Sequence, residues 1–364
     1  MRIIEIIPFV YPLGGAERLV INLTSSLAKR KEDEVLLISL YTKNKNKIVD
    51  ELINRKDINI VFLDKKRGVD LKCSKRLKKV VNDFKPDVIH CHLDSLITVW
   101  LSKVFKKYKT FYTFHTLINE NVVGNKRKPK NALYRFLFKK KRIVPIAISQ
   151  IIKDSICSYY DLKNEMVPVA ENGVPLENFS NSNKLSTRKY DFVFAGRFID
   201  LKNPEVIIKA FLETKKEFEN INLVMIGDGP LHSNCKKAYS DEGIIFIGFI
   251  EDVSEYFKNS KVLVLASSYE GNPMVINEAI ASGCFVIATK VGGIPDVVKN
   301  DRNGVLIDFD DNLENSLVSK MKECMHNIKK IETMLEKEST INQSEVSIEK
   351  TLQKYMEIFA EERK

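Results

Sequence analysis

The chain has 364 residues, 44% of them hydrophobic, and a formal net charge of +10, which is enough for two domains of ordinary size, each with its own core. No apolar run approaches the roughly 20 residues that cross a bilayer. The opening MRIIEIIPFVYPLGGAE is broken by acid and Pro-Gly residues where a signal peptide needs an unbroken apolar core, so a soluble cytoplasmic protein is expected.

Arg2 to Pro8 reads as a short apolar strand, followed by a loop ending in Gly14-Gly15 and a helix from about Ala16 to Arg30. Leu19, Leu23 and Leu27 recur four apart in it, as a core-facing stripe should. This strand, glycine loop and helix lack the G-x-G-x-x-G dinucleotide fingerprint, and a tight turn that needs glycine accounts for them equally. Apolar strands follow at Val35 to Leu40, Ile58 to Leu63, Val88 to His90, Thr110 to Phe114 and Val144 to Ile148, separated by helical or charged segments. Such alternation predicts a parallel sheet covered on both faces, with ligands at the strand ends.

His90-Cys91-His92 ends one of these strands. Adjacent strand residues point to opposite faces and no further ligand cluster lies near in the sequence, so no metal site is expected, and His92 is left to face the cleft. His115 ends the next strand, at the cleft mouth by the same rule, either as a packed or solvated side chain or as a functional one.

Lys and Arg outnumber Asp and Glu 34 to 17 in residues 1–170, while the remainder holds 24 against 31. The basic half either faces nucleic acid, an anionic membrane surface or a phosphate-bearing acceptor, or is simply well solvated. Residues 126–142, KRKPKNALYRFLFKKKR, hold nine basic residues and no acid, and Leu133, Phe136 and Leu137 follow helical spacing. A helix with one apolar face and basic flanks suits an anionic lipid surface, each basic residue adding about 1 kcal/mol. It equally suits docking on its own domain with the lysines in water. Nucleic acid calls for interleaved stacking aromatics or a known module, and neither is evident.

Pro168 to Tyr190, with Asn172-Gly173-Val174-Pro175 and then NSNKLSTRK, has no apolar period and reads as an interdomain linker. The expected organisation is an N-terminal domain at 1–170, a linker at 171–190, a second domain at 191–344 and a C-terminal helix at 345–364. Strands are predicted at Asp191 to Ala195, leading into Gly196-Arg197-Phe198 and Lys202; at Leu223 to Ile226, leading into Gly227-Asp228-Gly229-Pro230-Leu231; and at Ile244 to Ile247, leading into Gly248-Phe249-Ile250. Val262 to Leu265, Val286 to Ala288 and Gly304 to Ile307 complete them, with the loop Val291-Gly292-Gly293-Ile294-Pro295-Asp296 between the last two. Ile348, Leu352, Tyr355 and Met356 give the closing segment its helical spacing. Cys73, Cys91, Cys157, Cys235, Cys284 and Cys324 lack paired spacing, the pattern of reduced thiols, several of them buried.

Residues 270–283, EGNPMVINEAIASG, organise the second half. Asn272 is placed as helix N-cap, Pro273 at the first helical position and Gly283 at the end. The loop Gly271-Asn272-Pro273 and the first turn through Met274 and Val275 then hold backbone N–H groups without intrahelical partners, a site for an anion. Glu270 and Glu278 bracket it. Carboxylates repel a diphosphate, so its ligand must also offer hydroxyl donors, and vicinal sugar hydroxyls fit. Otherwise Glu278 complements the helix dipole and Glu270 is a solvated loop residue.

The stretch resembles the Glu-x7-Glu signature of retaining, family-4-type glycosyltransferases of the bacterial polysaccharide type, and the resemblance covers nearly the whole chain. It implies the GT-B fold, an α/β architecture of two Rossmann-like parallel-sheet domains facing a deep cleft. By the same resemblance Glu270 contacts the donor hexose, the loop Gly271, Asn272, Pro273, Met274 and Val275 receives the diphosphate, and Glu278 holds the ribose diol. Asn272 stands where the family often has Phe or Leu, a departure that bears on the sugar pocket, and Pro175 stands where Asp commonly follows the Asn-Gly-Val of the linker. Gly14 and Gly15 would close over the donor phosphates, His115 would contact the sugar near its reacting carbon, and Arg197 and Lys202 would stabilise the leaving diphosphate. Gly227 and Gly229 would lie near the nucleotide, Gly248, Phe249 and Ile250 would read the base through their backbone, and the terminal helix would brace the first domain.

The implied activity is retaining transfer of a hexose or N-acetylhexosamine from a nucleotide diphosphate sugar, a UDP-sugar, to a hydroxyl of a glycan or polyprenyl-diphosphate-linked acceptor in surface polysaccharide synthesis. Attack is on the front face, with the departing phosphate oxygen taking the acceptor proton. No cofactor, metal or nucleic acid is implied; an anionic surface at the inner face of the cell membrane is, through 126–142. Two rivals stay open: a nucleotide-sugar epimerase of the same fold, and a non-catalytic protein that binds nucleotide sugars or nucleic acid.

Overall fold

The computed structural model describes residues 1–10, 14–42, 58–119, 128–180, 183–239 and 242–361. Its strands form two six-stranded, all-parallel sheets. The first holds β1 (Arg2–Ile7), β2 (Glu34–Ser39), β3 (Asn59–Phe62), β4 (Val88–His92), β5 (Lys109–Phe114) and β6 (Val144–Ala147) in the order β3-β2-β1-β4-β5-β6. The second holds β7 (Tyr190–Ala195), β8 (Leu223–Ile226), β9 (Ile244–Gly248), β10 (Ser260–Leu265), β11 (Phe285–Thr289) and β12 (Gly304–Ile307) in the order β12-β11-β10-β7-β8-β9. Both sheets thus start at a central strand, run to one edge and return to the other side, so the order reverses beside β1 and β4 and again beside β7 and β10. Parallel sheets of this kind bind ligands outside the carboxyl ends of the strands at that reversal.

The strands are apolar throughout because helices cover both faces: Ile3, Ile4, Ile6 and Ile7 are buried in β1, and Val262, Leu263, Val264 and Leu265 in β10. Every strand expected from the sequence is present, with ends shifted by up to two residues, and β4 continues to His92. The first helix runs Gly15–Ala28 and buries Leu19, Leu23 and Leu27.

The chain divides into two compact units, Met1–Glu171 with Thr351–Lys364, and Asn172–Lys350. Of the expected linker, residues 172–180 and 183–190 are packed into the second unit, where Val174, Phe179 and Leu185 are buried. Arg188, also buried, donates to the carbonyls of Ser260 and Ser282, both at 2.9 Å. A polar sequence is held inside here by hydrogen bonds instead of an apolar stripe. The last helix, Ile348–Glu361, belongs from Thr351 onward to the first unit. There Tyr355 packs on His90 and Phe359 on Phe111, with ring centroids 4.9 and 4.7 Å apart. All six cysteines are free and buried. Among the described residues no helix is long and apolar enough to cross a membrane.

Candidate active site

In the second unit the expected residues gather at the strand-order reversal. The turn Asp200–Lys202 follows β7, and Glu270 follows β10. Lys202 Nζ donates to Glu270 Oε1 in a mostly buried ion pair, and Ser267 Oγ donates to the same oxygen at 2.8 Å. Two further bonds clamp the Lys202 turn to the segment after β10, Asn203 Nδ2 to the Ala266 carbonyl (2.8 Å) and Ser268 N–H to the Leu201 carbonyl (2.9 Å), and Thr289 Oγ1 at the end of β11 donates to the Ser267 carbonyl (2.6 Å). Asn203 sits at φ +47, in the left-handed region that Asn tolerates best after glycine. Arg197 is exposed and is not part of this pair.

The helix that follows runs Met274–Ala281, one residue later than expected, with Pro273 in the capping position. Asn272 does not cap it. Its side chain is turned inward and only 4% exposed: Oδ1 accepts from Asn277 Nδ2 at 3.3 Å, and the Asn272 carbonyl accepts from Asn172 Nδ2 at 2.8 Å. Asn277 Nδ2 also donates to the Asn172 carbonyl at 2.8 Å. Three asparagines therefore fix the loop against the helix. Proline at the cap holds φ at −73°, and the first-turn amides beyond it, at Met274 and Val275, have no helical acceptor to meet. Glu278 lies on this helix and is buried. Gly283, at φ +69, terminates the segment as a left-handed residue.

The remaining expected residues surround β7 to β9. Gly227 and Gly229 adopt φ +127 and +153, and a Cβ would come within 1.9 Å of the Gly196 carbonyl oxygen on Gly227 and within 2.6 Å of the Phe198 carbonyl oxygen on Gly229, so this loop lies against the backbone on either side of Arg197. Gly248 sits at φ +78, followed by the exposed ring of Phe249 and the half-buried Ile250.

In the first unit Gly14 caps the helix that Gly15 begins. Glu17 folds back toward this end, its Oε2 only 2.4 Å from where a Gly14 Cβ would stand, and burial pushes its carboxyl up. Residues 126 and 127 of the basic segment lie outside the described residues. The helix Pro129–Lys139 buries Tyr134, Leu137 and Phe138, while Phe136, expected on the apolar face, is 56% exposed. The apolar face is displaced by one position because Tyr134 and Phe138 pack with Tyr112 and Phe114.

The expectation that no ligand cluster lies near His90 and His92 is overturned. The two histidines share a face, two residues apart on β4, and register places Glu5 of β1 directly beside His90. Glu5 Oε2 accepts from His90 Nδ1 at 3.0 Å and from His92 Nε2 at 2.8 Å. His90 Nε2 lies 2.7 Å from Thr113 Oγ1, which lies 3.3 Å from the Tyr355 hydroxyl. His92 Nδ1 lies 3.1 Å from Nε2 of the partly buried His115. Burial alone would raise the Glu5 carboxyl, but the charge of His90 and the two imidazole donors outweigh it and lower its pKa to about 2. Burial, then His90, lowers His92 to about 4 against the pull of Glu5. Burial, with His92 and His90, holds His115 well below its ordinary value. The signal for this cluster was a charged residue inside the apolar run Ile3-Ile4-Glu5-Ile6-Ile7, since a buried carboxylate requires partners.

Two six-stranded parallel sheets of this order are the GT-B fold. The Anabaena protein HepE in complex with UDP is similar in structure, with a TM-score of 0.80 at 17% identity over 99% of this chain and 100% of that one. A glycosyltransferase from Rickettsia africae matches likewise, with a TM-score of 0.80 at 20% identity over 99% and 98%. The chain is a glycosyltransferase built of two family domains, matching Glycosyltransferase Family 4 over residues 13–178 and Glycosyl transferases group 1 over residues 176–339.

Among curated relatives, a Campylobacter jejuni α-1,4-N-acetyl-D-galactosaminyltransferase named for a diNAcBac-PP-undecaprenol-linked acceptor is 27% identical over 310 residues, 82% of this chain and 83% of the relative. An Escherichia coli UDP-Gal:α-D-GlcNAc-diphosphoundecaprenol α-1,3-galactosyltransferase is 29% identical over 270 residues, 66% and 67%.

Proposed function

We propose that this glycosyltransferase moves a hexose or N-acetylhexosamine from a UDP-sugar, with retention, to a hydroxyl of a lipid-linked glycan. The observation that carries the reading is the Lys202–Glu270 pair, set beside the start of the helix Met274–Ala281. A diphosphate on the amides of Gly271, Met274 and Val275 has a cation at hand in Lys202, with the exposed Arg197 as a second, to stabilise the charge of the leaving group. Glu270 offers its second oxygen to a sugar hydroxyl, Glu278 holds the ribose diol, and His115 in the first unit contacts the sugar. Gly14 and Gly15 lie by the phosphates, Gly227 and Gly229 by the nucleotide, and Gly248, Phe249 and Ile250 by the base. UDP in the HepE structure and the undecaprenol-linked acceptors in the names of both relatives support the donor and acceptor classes.

Phe136, exposed between Arg135 and Lys139 on a helix with further lysines at its end, supports contact with an anionic bilayer. Both cations also pair with Asp161.

Thermal stabilisation across a panel of UDP- and GDP-sugars tests the donor without needing an acceptor. At a hundredfold excess over Kd, binding adds about 2.7 kcal/mol. Stabilisation by UDP-sugars that Lys202→Ala removes is the expected result. Stabilisation by GDP-sugars alone refutes the donor class, and donor converted without any acceptor would make the protein an epimerase.

A further inference from the structure

The first unit carries a row of polar groups that its packing does not require. Tyr355, Thr113, His90, Glu5, His92 and His115 follow one another at hydrogen-bond distance, drawn from the last helix, β5, β4, β1, β4 and the end of β5. Glu5, His90 and His92 are at most 1% exposed. A buried charge of this kind is no better for stability than a well-packed apolar core. At its other end, the row stops on an unsatisfied atom: His115 Nδ1 is buried and has no hydrogen-bond partner among the described residues.

The row has a direction. An ionised carboxylate only accepts hydrogen bonds, so His92 must carry its hydrogen on Nε2, toward Glu5. Neutral His92 then presents a bare Nδ1 to His115, and the facing atom of His115, Nε2, must be the donor. A neutral imidazole has one N–H, so His115 Nδ1 is left as a lone pair.

We propose that Glu5 and His92 are positioning residues that fix His115 as its Nε2–H tautomer, so that Nδ1 accepts a hydrogen bond from a hydroxyl of the bound substrate. This rests on the role given to His115 above. Burial, the largest cause, holds His115 neutral, and a proton on His92 or His90, the groups that face it, would only add to this. The ligand atoms of Glu5, His90 and His92 lie within 4.8 Å of one another, but each is already engaged inside the row, which favours the ordering of protons over the binding of an ion.

The test uses the full chain labelled with 15N-histidine, its five histidines assigned by single substitutions, and long-range N–H correlation spectra that report which ring nitrogen is protonated. Wild type is expected to show His115 protonated on Nε2. Glu5→Met removes the acceptor that holds the His92 hydrogen on Nε2, which a glutamine carbonyl would still supply. His115 should then lose its fixed Nε2–H tautomer, with kcat falling up to roughly tenfold, the worth of one hydrogen bond, while the KM for donor is unchanged. His92→Gln, whose carbonyl accepts from His115 and whose amide donates to Glu5, should keep the tautomer and most of the activity. His92→Leu should lose both, and this pair carries the test if Glu5→Met fails to fold. An Nδ1–H tautomer in wild type, or wild-type kcat in folded His92→Leu, overturns the proposal, as does a stoichiometric metal ion whose chelation abolishes activity. If His115→Ala is inactive while Glu5→Met is unaffected, the relay alone fails. If His115→Ala turns over normally, the role of His115 in transfer fails with it.

Discussion

The backbone of Gly292 lies directly against that of Glu270. A Cβ at Gly292 would stand 1.7 Å from the Glu270 carbonyl oxygen, which accepts the N–H of Gly293 at 3.1 Å, and Gly292 itself sits at φ +57. The acid is thus supported from below by a residue that has neither room nor conformation for a side chain. Gly292→Ala is expected to push the Glu270 loop outward, costing about 2–3 kcal/mol and most of the activity. Gly68→Ala is the control, since its φ of +75 is equally left-handed but nothing lies within 4 Å of the added carbon. That variant should lose about 1 kcal/mol and keep its turnover. Thermal melts and initial rates on both proteins check the pair.

Lys202 and Glu270 are mutually dependent because each neutralises the other in a largely buried place. Lys202→Met should lower kcat by roughly 10²- to 10³-fold, as expected for a group that stabilises charge in the transition state. It should also cost about 2–3 kcal/mol of stability by stranding the carboxylate. The double variant Lys202→Met, Glu270→Gln should regain part of that stability and none of the activity, a non-additivity that denaturant unfolding resolves.

Asn277 is fully buried and bonds both Asn172 and Asn272. Asn277→Ala should leave the Asn172 carbonyl unsatisfied, with a loss of about 2 kcal/mol. The anion loop should then lose its fixed position. Weaker binding of UDP-sugar, measured by calorimetry, is the expected companion of the lower melting temperature.

Acid should weaken the first unit in two steps of the same sign. His92 titrates at about 4 in the folded protein against an ordinary 6.5. As pH falls from 6.5 to 4, the unfolded chain therefore takes up a proton that the folded one refuses, and stability drops by about 3 kcal/mol. Glu5, at about 2 against 4.5, adds a further loss as pH falls from 4.5 toward 2, where the unfolded carboxyl protonates first. Unfolding curves of His92→Gln should lose the upper step and keep the lower one.

The twelve strands were legible because a parallel strand buried on both faces leaves an unbroken apolar run, as at Ile3-Ile4 and Val262 to Leu265. The acid-bracketed helix start was legible from Pro273 and Gly283, whose backbone restrictions are local. The Glu5–His90 pair was not, since the two are 85 residues apart and only strand register brings them together. Arg188 was missed for a related reason: its partners, the carbonyls of Ser260 and Ser282, have no side-chain signature. Ser267 supports the acid through its hydroxyl, and Asn203 and Gly292 support the lysine turn and the acid through contacts with neighbouring backbone, none of which any spacing in the sequence announces.

The first unit is discontinuous, since Thr351 onward completes a body that Glu171 otherwise closes. Tyr355 and Phe359 cover His90 and Phe111, yet a ribosome delivers them only after every residue of the other unit has emerged. The amino-terminal sheet therefore waits through synthesis of the whole second unit with Phe111 and the Glu5–His90 row uncovered, and transiently exposed surface of this kind is what chaperones answer. Cutting the gene at the midpoint cannot yield this body intact; splicing its two pieces together can.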